Sequence, residues 1–275
     1  MKKIVFIDID GTLYDNKKHC IPDSAVKALT LAKENGHELF ICTGRVKEMV
    51  EDKYRSLPVS GFVYGCGSHI EISDRIVYEA HFPRKEMDDL ISYFRKHRIE
   101  FTLEGREVSY FSEGAMDLYM SYFCKSGSEM EQKFKAGKAM RSFSEIDETG
   151  CSQILKVAFQ AEKDELIRPV LDALPESLTY FTYSDSFSGD VEGEILVKGA
   201  DKADSIERVV NYFHGNMEET IALGDSDNDI SMIKKAHLGV AMGNACDNLK
   251  QEAEYITSHV SEDGLYNAFQ YLKLI

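Results

Sequence analysis

The sequence predicts an α/β protein with a doubly wound parallel-sheet core and a second, smaller inserted domain of α+β character. Three observations carry this. The apolar runs Ile4–Ile7, His37–Cys42 and Glu219–Leu223 alternate with helix-patterned stretches at both ends of the chain, as strands buried on both faces and joined by crossover helices do. Two of these runs end in acid-rich turns, Asp8-Ile9-Asp10-Gly11 and Gly224-Asp225-Ser226-Asp227-Asn228-Asp229. Between them, from Pro83 to Glu194, hairpins and an amphipathic helix replace the βα alternation. At 275 residues the chain exceeds the size of a typical domain, about 150 residues. The expected division is a core of residues 1–82 and 195–275 around an insertion of residues 83–194.

In order, Ile4–Ile7 reads as the first buried strand, and Ala25 to Gly36 as a helix with Val26, Leu29 and Ala32 at helical spacing and Asn35-Gly36 as its stop. His37–Cys42 completes a βαβ unit. A helix is expected from about Val46 to Arg55, then a strand at Phe62–Tyr64, a tight turn at Gly65-Cys66-Gly67-Ser68, and a hairpin of His69–Ile72 and Arg75–Glu79 around Ser73-Asp74. In the insertion, Arg84–Arg98 is amphipathic through Met87, Leu90, Ile91 and Phe94. A hairpin follows around Glu104-Gly105-Arg106, then helices at Met116–Phe123 and Glu129–Lys138, a strand at Ile154–Gln160, a helix at Lys163–Leu174 and a strand at Leu178–Ser184. The parallel pattern resumes with a helix at Ala203–Phe213, the strand Glu219–Leu223, a helix at Ile230–Ala236, a strand at Leu238–Met242, a helix at Cys246–Ala253, a short strand at Tyr255–Thr257 and a closing helix at Gly264–Leu274.

Composition excludes several classes. With 47 acidic against 32 basic residues, the formal charge of −15 disfavours a surface for phosphate backbones, so nucleic acid is not an expected partner. The six cysteines form no Cys-x-x-Cys pair, which suits a reducing cytoplasm rather than a disulfide framework or a zinc site. Asp8 and Asp10 interrupt the first apolar run too early for a signal peptide. No stretch approaches membrane-spanning length. A cytoplasmic monomer or weak homodimer acting on small partners is expected.

Asp8 falls at the carboxyl end of a buried strand, where ligands bind in open α/β sheets. Asp8 and Asp10, two apart, point the same way in extended backbone and repel unless a cation or a shared proton intervenes. An acid capping the next turn beside a solvated neighbour accounts for the pair equally well. Taken alone, Thr43-Gly44 reads better as a strand-to-helix turn with Thr43 as N-cap than as an anion site. The second acid-rich strand end changes the balance, because a hard divalent cation such as Mg²⁺ takes carboxylates together with phosphate oxygens. Asp8 and Asp225 are its natural ligands. With Lys202, Thr43 and Asn228, the set suits a phosphoryl group.

Asp8-Ile9-Asp10-Gly11-Thr12, Cys42-Thr43-Gly44-Arg45, Lys202 and Gly224–Asp229 resemble, in order and context, the four motifs of the haloacid-dehalogenase-like phosphatase superfamily. Lys198-Gly199-Ala200-Asp201-Lys202, Ala241-Met242-Gly243-Asn244-Ala245 and Glu262-Asp263-Gly264 are similar to its Cof-type sugar-phosphate phosphatases. The resemblance covers both ends of the chain and implies a Rossmann-like core with an inserted α/β cap. It also implies a Mg²⁺-dependent phosphatase of small phosphorylated metabolites, sugar phosphates first. Asp8 would be the nucleophile and Asp10 the general acid and base. Thr43, Gly44, Lys202 and Asn228 would bind phosphate. Asp8, the Asp10 carbonyl and Asp225 would hold the metal, with Asp229 orienting a metal water. Asp227 is left as a turn residue.

One departure stands out: Cys66-Gly67 replaces the Asn-Gly usual in that subfamily, and Cys66 reads as a packed thiol. The aromatic run Tyr180, Phe181, Tyr183 and Phe187 reads as sheet packing rather than a sugar platform. Glu192 and Glu194 fit substrate hydroxyls or a solvated linker equally. A phosphomutase with a second phosphate site among Arg84, Lys85, Arg106, Lys125 and Lys156, a phosphatase of pyridoxal phosphate or flavin mononucleotide, and a non-catalytic sensor are the competing functions.

Overall fold

The computed structural model describes residues 2–123, 139–184 and 190–275. The expected helix at Glu129–Lys138, and Lys125 and Phe187, lie outside the described residues. The chain forms two compact units: Met1–Gly44, Lys53–Tyr78 and Ala200–Ile275 make the first, Arg45–Asp52 and Glu79–Gly199 the second.

The first unit is built on β1 (Ile4–Ile7), β2 (Glu38–Cys42), β3 (Gly61–Tyr64), β4 (His69–Ile72), β5 (Arg75–Glu79), β12 (Thr220–Gly224), β13 (Leu238–Ala241) and β14 (Tyr255–Ile256). Their order across the sheet is β14-β13-β12-β1-β2-β3-β4-β5. The strands from β14 to β3 are parallel, and β4 turns back against β3. Strand β1 is central because all four of its residues are buried, so it can be covered from both faces. Ile4 and Phe6 join Phe40 and Val63 with the helices Lys202–Tyr212, Ile230–Lys235 and Asp247–Glu252 in one core, where Phe6 stacks on Phe40 with ring centres 5.6 Å apart. Alternation sends Val5 and Ile7 to the other face, on the side of helix Asp23–Glu34 and its neighbour Gly264–Tyr271. Truncating Phe6 to alanine would cost about 3–5 kcal/mol at such a site.

Local signals set the ends. Helix Asp23–Glu34 stops where Gly36 takes φ +87° and the His37 N–H reaches back to the Ala32 carbonyl. Its buried face is Ala25, Ala28, Leu29 and Ala32, one residue round from the expected Val26 stripe. Ser73 and Asp74, at φ 48° and 61°, make the two-residue turn that joins β4 to β5.

The expected helix over Val46–Arg55 is broken into a 3-10 turn at Lys47–Met49 and a short helix at Asp52–Arg55, with Val50 extended between them. Packing overrides the pattern. Val46 and Met49 are buried with Phe111 and Met140 in the second unit, whereas Tyr54 packs edge-on to Tyr14 in the first.

The second unit holds β6 (Glu100–Gly105), β7 (Ser109–Phe111), β8 (Met140–Ser142), β9 (Ile154–Ala161), β10 (Leu178–Ser184) and β11 (Val191–Val197), ordered β10-β11-β9-β6-β7-β8. All pairings are antiparallel except β7 with β8. Helices Arg84–His97 and Asp164–Leu171 cover one face through Met87, Leu90, Phe94, Ile167 and Leu171. The return segment is not a solvated linker: Val191–Val197 lies inside the sheet between β10 and β9, and Glu194 is buried. Tyr180 packs against this core, while Tyr183 is exposed. Among the described residues no helix is long and apolar enough to cross a membrane.

Candidate active site

The site assembles where β2, β1 and β12 end side by side. Asp8 continues the ladder of β1, donating its N–H to the Leu223 carbonyl at 3.1 Å, which buries its carboxylate at the strand end. Lys202 opens helix Lys202–Tyr212, whose N-cap Asp201 exchanges side-chain-to-backbone hydrogen bonds with Asp204. That box fixes the first turn. The Lys202 side chain, 1% exposed, donates from Nζ to Asp8 Oδ1 at 2.8 Å and Asp229 Oδ1 at 2.6 Å.

Asp229 is fully engaged. Its second oxygen accepts from the backbone N–H groups of Asp225 and Ser226 at 3.1 and 3.2 Å and from Ser226 Oγ at 3.3 Å. Asp225 accepts from Thr12 Oγ1 at 3.1 Å through Oδ1 and from Asn244 Nδ2 at 3.5 Å through Oδ2. Gly11, at φ +86°, is required here twice over, since a Cβ on it would lie 2.1 Å from Asp225 Oδ2. One oxygen each of Asp8, Asp225 and Asp229 lies within 4.8 Å of the other two.

Two buried carboxylates, Asp8 and Asp229, the half-buried Asp225 and one ammonium set the electrostatics. Asp8 is pushed up to about 7, by burial first, then by the charges of Asp229 and Asp10, with Lys202 opposing. Asp225 is pushed up to about 8, by burial, then Asp8 and Asp229, against the Thr12 hydrogen bond and Lys202. Burial would lower the Lys202 ammonium, but Asp229 and Asp8 overcome it and hold the group well above its ordinary value. Beneath the site, burial drives the Cys42 thiol up to about 12, so this cysteine stays protonated.

Of the residues singled out from the sequence, Asp8, Lys202, Asp225 and Asp229 are joined directly. Asp10, half-buried, adds its charge to the field on Asp8. Thr43 is buried at the end of β2, its N–H bonded to the Val63 carbonyl at 2.9 Å, and half-buried Gly44 follows it. Asn228 sits on the turn after β12 and accepts from Ser226 Oγ at 2.8 Å. Asp227 is exposed and accepts from Asn248 Nδ2 at 3.2 Å, as a turn residue does. Cys66 is buried, with φ 58° and its N–H bonded to the Thr43 carbonyl at 3.0 Å. Sequence reasoning gave no role to Thr12 or Asn244. The available signal was position, since Asn244 follows the strand adjacent to β12.

An acid triad with one buried lysine at the carboxyl ends of parallel strands suits a phosphoryl group and a hard cation. In accord with it, residues 5–269 match the family model of the haloacid dehalogenase-like hydrolases, and the chain belongs to that family. The chain is a phosphatase, a hydrolase of phosphoric monoesters. It is 29% identical to the 5-amino-6-(5-phospho-D-ribitylamino)uracil phosphatase YcsE of Bacillus subtilis (strain 168), over 98% of this chain and 95% of that protein. It is 26% identical to the pyridoxal phosphate phosphatase YbhA of Escherichia coli (strain K12), over 96% of both. Its fold superposes on the subclass IIB sugar phosphatase BT4131 with a TM-score of 0.81 over the whole of both chains, at 24% identity.

Proposed function

We propose that the protein is a Mg²⁺-dependent phosphatase of small phosphorylated metabolites that works through an aspartyl-phosphate on Asp8. The observation that carries this reading is the pair of short bonds from one buried ammonium to Asp8 and Asp229, with Asp225 alongside. The donor set fits the metal: all ligand atoms are hard oxygens, and three acids with one lysine leave a negative charge that a dication balances. Asp8, Asp225 and the Asp10 carbonyl would hold it, and when bound it supplies neutralising charge to the phosphoryl oxygens. Both oxygens of Asp229 are already occupied, which supports an orienting role rather than direct ligation.

In the reaction, Asp8 forms a bond to phosphorus as the ester oxygen leaves, and Asp10 gives that oxygen its proton. Asp10 then takes a proton from water, which attacks phosphorus and returns Asp8 with release of inorganic phosphate. Lys202 holds the Asp8 carboxylate in line and offsets charge as it accumulates. Thr43, Gly44 and Asn228 offer neutral donors to the phosphoryl oxygens.

Residues 83–194 act as the cap that selects the leaving group. Hydrolysis is favoured over a mutase reaction because the described cationic side chains named for a second phosphate are already matched with acids. Arg84 pairs with Asp88 and Glu148, Lys85 with Asp89, Arg106 with Glu79 and Glu107, and Lys156 with Glu104 and Glu194. Sugar phosphates are the first substrates to test, with pyridoxal phosphate and flavin mononucleotide as the second reading, which the activity named for YbhA favours. The test is phosphate release across these esters with Mg²⁺ and with a chelator. Metal-dependent turnover of hexose phosphates supports the first reading. Turnover restricted to the cofactor phosphates overturns the sugar preference, and metal-independent turnover overturns the mechanism.

A further inference from the structure

Asn244 is bound at three points of the site by one side chain. Its Nδ2 donates to the Gly11 carbonyl at 2.8 Å and reaches Asp225 Oδ2 at 3.5 Å, while its Oδ1 accepts the Val260 N–H at 2.9 Å. It therefore ties together the turn after β1, the turn after β12 and the segment before the last helix, which lie far apart in sequence. Its own position is fixed, because the neighbouring Gly243 N–H donates to the Ser258 carbonyl at 3.1 Å and the Ala245 N–H to the Met242 carbonyl at 2.9 Å.

The amide is matched to its partners. An NH₂ group offers two donors and a carbonyl two lone pairs, and the donors here face a backbone carbonyl and a carboxylate oxygen. Asp225 is also held on its other oxygen by Thr12. Its carboxylate is thus fixed by two neutral donors and by the close approach of Gly11. A carboxylate held this way keeps its orientation without a salt bridge that would compete with a dication.

From this geometry we infer that Asn244 is a positioning residue for the metal: it holds the Asp225 carboxylate and the Asp10–Gly11 turn in the arrangement that binds a divalent cation. This rests on the reading of Asp225 as a metal ligand. Outer partners of metal ligands change affinity by about 10- to 100-fold when removed.

The test is Mn²⁺ binding to the whole protein, followed by the paramagnetic signal of the free ion, with thermal unfolding measured in parallel. Asn244→Ala should raise the Mn²⁺ dissociation constant about tenfold or more. Asn248→Ala, which removes a comparable amide that donates to the turn residue Asp227, should leave it unchanged. Asn244→Asp guards against a folding defect, since it keeps the acceptor for the Val260 N–H and loses both donors. It also adds negative charge beside the site, so weaker Mn²⁺ binding by this variant supports positioning over simple electrostatics. In the Asn244→Ala/Asp225→Asn double variant the losses should be less than additive, because Asn244 acts through Asp225. Wild-type affinity in either Asn244 variant, or additive losses in the double variant, overturns the inference. Absence of Mn²⁺ binding by the wild type overturns the metal reading itself and the inference with it.

Discussion

The two units each bury a lysine between two carboxylates, and the proposed mechanism uses only one of these triads. Lys202 bonds Asp8 and Asp229 at 2.8 and 2.6 Å. Lys156 forms ion pairs with Glu104 and Glu194 at 3.1 and 2.6 Å. Both lysines are 1% exposed, so burial and charge do not separate the sites. Placement does. Glu104, Lys156 and Glu194 lie within adjacent antiparallel strands, with Glu104 directly across from Lys156. Asp8 and Asp229 instead sit past the carboxyl ends of parallel strands, where backbone donors and the third acid, Asp225, converge. A buried ion pair alone is weak grounds for function, because retaining one can be a matter of structure.

The largest expected effect is on activity. Lys202→Met should lower turnover of an aryl phosphate by about 10²–10³-fold, the loss typical of removing one preorganised donor. Lys156→Met should leave turnover of the folded enzyme within a few-fold. Equal losses would erase the distinction between the triads.

Stability should respond in the opposite sense. Lys156→Met leaves two buried glutamates facing each other and should cost about 3–5 kcal/mol in urea unfolding. Neutralising all three, as Lys156→Met/Glu104→Gln/Glu194→Gln, should recover most of that loss, because no uncompensated charge remains.

A smaller effect sharpens the comparison through pH. Burial, reinforced by Glu194 and opposed by Lys156, raises Glu104 from 4.5 to about 7. Below pH 4.5 the group is protonated in both states and contributes nothing to the pH dependence. Between 4.5 and 7 the unfolded chain releases a proton that the native state keeps, so stability falls as pH rises, and it levels off above 7. Asp8 and Asp225, also raised, add slope of the same sign, so unfolding free energy measured across that window should fall less steeply in Glu104→Gln than in the wild type. An unchanged slope would place its origin elsewhere.

The triad around Lys202 is legible in the sequence and the one around Lys156 is not, for a physical reason. Asp8 and Asp225 each end an uninterrupted apolar run, and a charge there breaks the pattern visibly. Glu104 and Glu194 lie within strands whose polar and apolar positions alternate, where an acid looks like a solvated face. Only the third strand carrying Lys156 makes them interior, and that pairing joins residues 38 positions apart. The strand Val191–Val197 was missed on the same account. The helix expected at Val46–Arg55 failed because its apolar residues serve two different cores. Asn244 was read only as part of a motif, since its partners Gly11, Asp225 and Val260 meet it through tertiary structure alone.

Asp8, as the group that carries phosphate, is the centre of the proposed mechanism. Rapid acid quenching of the enzyme during turnover of a ³²P-labelled ester, followed by peptide mapping, tests it directly. Acid-stable label is expected on the peptide containing Asp8, with no label or turnover in Asp8→Asn. Full activity of Asp8→Asn, or turnover with the label on a peptide lacking Asp8, would contradict it.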